Sequence, residues 1–111
     1  MNKPTRIYIA GKITGDENYK EKFAKVEQEF KKCGYEVLNP AKLDLIMPSS
    51  STQDDYMSMC YPMIEMCDVV YFLSDWKKSA GATMEYQYCL RRGKNVIMQK
   101  DSADIDIGQG K

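Results

Sequence analysis

Cys67-Asp68-Val69-Val70-Tyr71-Phe72-Leu73, followed by Ser79-Ala80-Gly81-Ala82 and then Glu85, is the stretch that decides the fold. An apolar run of strand length ends at Leu73, small residues follow, and an apolar-rich helical pattern with a carboxylate in its first turns begins. An α/β protein builds a ligand site in this way. The strand ends at a crevice, the loop admits a ligand to the backbone, and the helix N-terminus offers unpaired N–H groups to an anion. Glu85 stands where it would act on whatever the crevice binds.

Outward from that stretch, strand and helix signals alternate. Arg6-Ile7-Tyr8-Ile9-Ala10 reads as a short strand ended by Gly11. With Asp16 as N-cap, Tyr19, Phe23, Val26, Phe30 and Cys33 fall at i, i+4, i+7, i+11 and i+14, an amphipathic helix closed by Gly34. Tyr35 to Leu38 is a second strand, stopped by Asn39-Pro40. Residues 41–53 show no clear period, and Pro48 to Thr52 reads either as a lid over the crevice or as a disordered loop. Asp54 or Asp55 then caps a helix carrying Tyr56, Met59, Cys60, Met63, Met66 and Cys67, and Pro62 inside it predicts a kink or a break. Asp68 to Leu73 is the third strand, Ala82 to Arg92 the third helix, ended by Gly93, and Asn95 to Met98 the fourth strand.

This alternation predicts an α/β fold with a parallel sheet, right-handed crossovers and helices on both faces. The expected strand order is 2-1-3-4, in a sheet of four strands or five. It forms a single domain over 1–111, with a core at 6–98 and a polar tail at 99–111. That order places the topological switch point between strands 1 and 3, so the Gly11 and Ser79 loops should line one crevice.

Composition narrows the function classes. The chain has 111 residues, 16 basic and 16 acidic side chains and no histidine, so it carries no electrostatic footprint for a nucleic-acid polymer. Ile7 to Ala10 is far too short for a signal h-region or a membrane span. Cys33, Cys60, Cys67 and Cys89 form no CxxC pair, which argues against a metal site and for reduced, mostly buried thiols in a cytoplasmic protein. Tyrosines and methionines on the second and third helices of so small a core lead us to expect a homodimer or a higher homo-oligomer.

Three elements could carry chemistry. Gly11-Lys12-Ile13-Thr14-Gly15 lies between a strand and a helix but lacks both GxGxxG and GxxxxGK[ST], so a phosphate cradle and a plain tight turn are equally compatible with it. The Ser79 hydroxyl would donate to an oxyanion or cap the helix, and holding both roles would require it to turn between them. Glu85, three residues after Ala82 and four before Cys89, shares their sheet-facing side, where a carboxylate is costly unless it is paired or stands at the crevice. Asp75, just past strand 3, is the candidate second carboxyl group for acid–base work.

Tyr8-Ile9-Ala10-Gly11, the CDVVYFL strand, Trp76, Ser79-x-Gly81-Ala82-x-x-Glu85 and Gly93-Lys94 together resemble the DUF4406 family. That family is itself similar to nucleoside 2-deoxyribosyltransferases and 2′-deoxynucleoside 5′-monophosphate N-glycosidases. The resemblance spans about residues 6–98 and implies a three-layer, flavodoxin-like (Rossmann-like) fold. It also implies a nucleoside or nucleotide in the switch-point crevice and no cofactor. It implies that Glu85 attacks the anomeric carbon to form a glycosyl-enzyme, that Tyr8 positions that carboxylate and that Ser79 holds a 5′-phosphate. Gly11, Lys12, Ile13, Asn39 and Gly81 complete the expected nucleotide-binding set. Three positions depart from the pattern. The transferases carry an Asp in place of Ser79, and their aspartate after strand 3 aligns with Ser74 rather than Asp75. The acidic residue that the hydrolases place before strand 3 falls near Cys60. The expected function is cleavage or exchange of an N-glycosidic bond, and the alternative is a non-catalytic module that senses or sequesters a nucleotide.

Overall fold

The computed structural model describes residues 3–100, and the tail segment 101–111, with Ile105 and Ile107, lies outside the described residues. Four strands, β1 (Arg6–Ala10), β2 (Glu36–Leu38), β3 (Val69–Phe72) and β4 (Asn95–Met98), form one parallel sheet in the order β2-β1-β3-β4. Tyr8 is the register point of its centre, opposite Leu38 on one side and Val70 on the other. The four strands and their order are those the alternation predicts.

Central parallel strands are covered on both faces, so their apolar residues run without alternation. Ile7, Tyr8, Ile9 and Ala10 are all buried for this reason. The two faces nevertheless pack differently. Tyr8, Ala10, Val70 and Phe72 meet Cys60 and Ile64 of α2 (Gln53–Glu65) and Cys89 of α3 (Ala80–Arg92). Ile9 meets Phe23 and Val26 of α1 (Tyr19–Lys32) on the opposite face. The result is three layers. No helix among the described residues is long and apolar enough to cross a membrane.

Helix ends depart from expectation in instructive ways. The N-cap of α1 is Asn18, not Asp16, whose carboxylate instead accepts the Asn18 N–H at 2.9 Å. At the other end Gly34 adopts φ +91°, and the Gly34 and Tyr35 N–H groups bond back to the Lys31 and Phe30 carbonyls, the paired closure that a left-handed residue allows. Thr52, rather than Asp54 or Asp55, caps α2. Its hydroxyl accepts the Asp55 N–H while the Asp55 carboxylate accepts the Thr52 N–H.

Pro62 does not break α2. It sits three residues before the helix end, so only the bond to Ser58 is lost, while buried Met57, Cys60 and Ile64 hold both sides of it against the sheet. Cys67 lies beyond the end of α2, although it is buried with Cys60 in the same core. The unread stretch after β2 contains a 3₁₀ helix, Pro40–Leu45, capped by Asn39. Pro48 to Ser51 turns into the Thr52 cap and touches no part of the cavity described next.

Candidate active site

The Ser79 cap sets the phase of α3. Its Oγ accepts the Ala82 N–H at 3.1 Å and its carbonyl accepts the Thr83 N–H, so the buried side of the helix becomes Ala82, Glu85 and Cys89. Glu85 is therefore driven against β1, where the Tyr8 hydroxyl donates to its Oε2 at 2.5 Å. Cys60 of α2 borders the same carboxylate. No lysine or arginine among the described residues forms an ion pair with Glu85.

Burial without a counter-charge fixes the electrostatics of this group. Desolvation pushes the Glu85 carboxyl up to about 7, even though hydrogen bonds from Tyr8 and Cys60 pull it down. The same burial, with the neighbouring Glu85 charge adding to it, raises the Cys60 thiol to about 12 and the Tyr8 hydroxyl well above its ordinary value. Tyr8 and Cys60 thus keep their protons and act as donors. Glu85 is the member of the trio that titrates near neutrality.

Glu85 and Cys60 form part of one wall of a cavity of about 440 Å³ at the carboxyl edge of the sheet, while Tyr8 is fully buried and does not line it. The volume is typical of small-molecule sites. The loop after β1 contributes Gly11, Lys12, Ile13 and Thr14, and the turn before α3 contributes Lys78, Ser79, Ala80 and Gly81. The switch point thus brings together the two loops that the strand order predicts. A methyl group on Gly11 would stand 2.7 Å from Leu73 Cδ1 and 2.9 Å from its Cβ, so glycine is what lets the chain leave β1 against Leu73, the residue that follows β3.

The rim near α3 carries the kinds of group that an anion would accept from. The N–H groups of Ala80 and Gly81 lie in the first turn, where no intrahelical acceptor exists. Lys78 and Lys12 border the same space. Ser79 uses a lone pair for its cap and retains its O–H as a donor, so the cap alone does not consume the proton that an anion would accept.

A family model described as a domain of unknown function (DUF4406) matches residues 5–98. The chain belongs to the DUF4406 family. A search of curated proteins finds no match.

In this DUF4406 chain three expected site residues do not line the cavity: Asp75, Asn39 and Tyr8, which reaches it only through Glu85. Asp75 accepts the Lys12 N–H at 3.0 Å and pairs with Lys22 at 2.5 Å. Lys22 also binds Asp16 and the Lys12 carbonyl. This network ties the loops after β1 and β3 together behind the site. Burial works against the Lys22 charge, but Asp16 and Asp75 outweigh it and hold the ammonium above its ordinary value. Asn39 is likewise inward, accepting the Ala41 N–H and donating to Glu27, which orients Pro40 and Ala41 at the cavity wall. Trp76 packs on Phe72 and Tyr86. Among the described residues no group of three or more Cys, Asp or Glu side chains is placed to hold a metal ion.

The wall also holds residues that sequence reasoning passed over: Asp44 from the 3₁₀ helix, and Gln53, Tyr56 and Met57 from α2. Their signals were present in Asn39-Pro40, a cap followed by proline at the first helical position, and in Thr52-x-x-Asp55.

Proposed function

We propose that the cavity binds a 2′-deoxynucleoside or its 5′-monophosphate and that Glu85 cleaves or exchanges the N-glycosidic bond. The observation that carries this reading is a buried, unpaired carboxylate, oriented by Tyr8, in a cavity whose rim is an open helix N-terminus. Carboxylate attack at the anomeric carbon forms a C–O bond as the C–N bond breaks, and the electron pair leaves with the base, which takes up a proton. Water, or a second base, then attacks the glycosyl-enzyme and regenerates Glu85. Tyr8 fixes Oε2 and so aims the other oxygen. The attacking form is the anion, so turnover should rise as pH increases through about 7.

A second reading, a module that binds a nucleotide without cleaving it, is favoured by a specific feature. The one other carboxylate on the described cavity wall is Asp44, already engaged by Tyr19 and Tyr56, and the Cys60 thiol keeps its proton too tightly to protonate a leaving base. Base release and thermal shift, measured over all deoxynucleosides and their monophosphates, separate the two. Free base that disappears with Glu85→Gln supports the enzyme; a melting shift without base release supports the module; neither signal rejects both. Self-association belongs to the same proposal. Met59, Met66 and Leu90 are exposed on α2, α3 and their flanks, and light scattering at high micromolar concentration tests whether that surface pairs two copies.

A further inference from the structure

With a phosphate at the Ser79 rim and a sugar carbon at Glu85, what remains for the base is the wall formed by the 3₁₀ helix and the start of α2. This inference rests on the nucleotide reading above. The groups available there are Asp44, Gln53 and Tyr56. Asp44 is held in place from two directions: Tyr56 Oη donates to its Oδ1 at 2.9 Å and Tyr19 Oη donates to its Oδ2. Both tyrosine protons are thereby consumed, so what this cluster presents to a ligand is acceptor character and negative charge.

Gln53 is the adjustable neighbour. Its Nε2 overhangs the first turn of α3, where a methyl group on Gly81 would stand 2.8 Å away, and its amide makes no hydrogen bond among the described residues. An amide can invert to meet either a donor or an acceptor edge. A carboxylate cannot, so Asp44 decides which edge is accepted.

We infer that Asp44 selects nucleotides whose base carries an exocyclic amino group at the position of the cytosine 4-amino or adenine 6-amino group. Such a group offers two N–H donors, one for Asp44 and one for the Gln53 carbonyl, while the Gln53 NH₂ meets the adjacent ring nitrogen. A keto base turns a carbonyl oxygen toward the Asp44 charge and leaves that acceptor unmatched.

The test is titration calorimetry of the wild-type chain with the 5′-monophosphates of deoxycytidine, deoxyuridine, deoxyadenosine and deoxyinosine, repeated with Asp44→Asn. The wild type should favour each amino nucleotide over its keto counterpart by about tenfold, the scale of one matched base-edge contact. Asp44→Asn, whose amide can invert, should bring each pair within about twofold. A melting curve confirms that the variant is folded, and Tyr56→Phe, which frees one Asp44 oxygen, should keep the amino preference. Equal wild-type binding within each pair, or a preference untouched by Asp44→Asn, overturns this assignment and leaves the nucleotide site standing. Failure of all four to bind overturns both.

Discussion

Glu27 and Glu85 are both glutamates on the buried side of a helix, one against each face of the sheet, yet their surroundings are opposite. Glu27 on α1 receives the Asn39 amide at 3.0 Å, Lys42 at 3.1 Å and Lys31 at 2.7 Å. Burial raises its carboxyl, but these three donors outweigh that and hold it below its ordinary value. Glu85 has two neutral donors and no cation, and burial prevails. A buried carboxylate matched by ammonium groups is a fastener between elements. One that is left unmatched at a cavity is chemically poised, at a cost to the fold.

The sharpest way to break this contrast is to neutralise Glu85. Glu85→Gln should lower base release by roughly 10³-fold or more while the fold and ligand binding persist, because the shape survives and the nucleophile does not. Unchanged single-turnover release would remove Glu85 from the chemistry.

The same variant should be more stable than the wild type in alkaline solution. A carboxyl whose folded value is raised from 4.5 to about 7 loses stability as pH climbs through that interval, by about 3 kcal/mol in total. Urea unfolding should therefore show little difference between Glu85→Gln and wild type at pH 4 and nearly the full gain at pH 8. Glu27→Gln should do the reverse. It should cost about 1–2 kcal/mol at neutral pH, since its ion pairs reach exposed lysines, and the penalty should fade as pH falls through the depressed folded value.

Smaller changes sharpen the picture. Tyr8→Phe removes a donor from Glu85 and should move its titration to higher pH, read from the pH dependence of stability or from the carboxyl infrared band. Movement to lower pH would mean that the Tyr8 hydroxyl does not stabilise the Glu85 carboxylate. Lys42→Ala should cost no more than about 0.5 kcal/mol, because Lys31 and Asn39 remain on Glu27.

Much of the architecture was legible because it depends on local periodicity. Asn95 to Met98 is a strand with the expected bounds, Gly34 and Gly93 end their helices in left-handed conformations, and the placement of Glu85 on the inner side of α3 follows from its spacing to Ala82 and Cys89. The capping of α2 was misread because two aspartates in its first turn obscured Thr52, whose partner lies three residues on.

The sequence by itself determined the parallel sheet, its strand order and the switch-point loops, since apolar spacing and glycine placement act within one or two elements. Tertiary structure alone decided which acids are matched. Spacing puts Glu27 four residues after Phe23, on the buried side of α1, much as it buries Glu85, but Asn39 and Lys42 reach Glu27 from the far end of β2. Asp75 stood one loop from the crevice in sequence and was drawn behind it by Lys22, while Asp44, from a stretch with no period, entered the cavity wall. Periodicity says which way a side chain points. The charge it meets there depends on residues distant in the chain, and only the folded backbone brings them into reach.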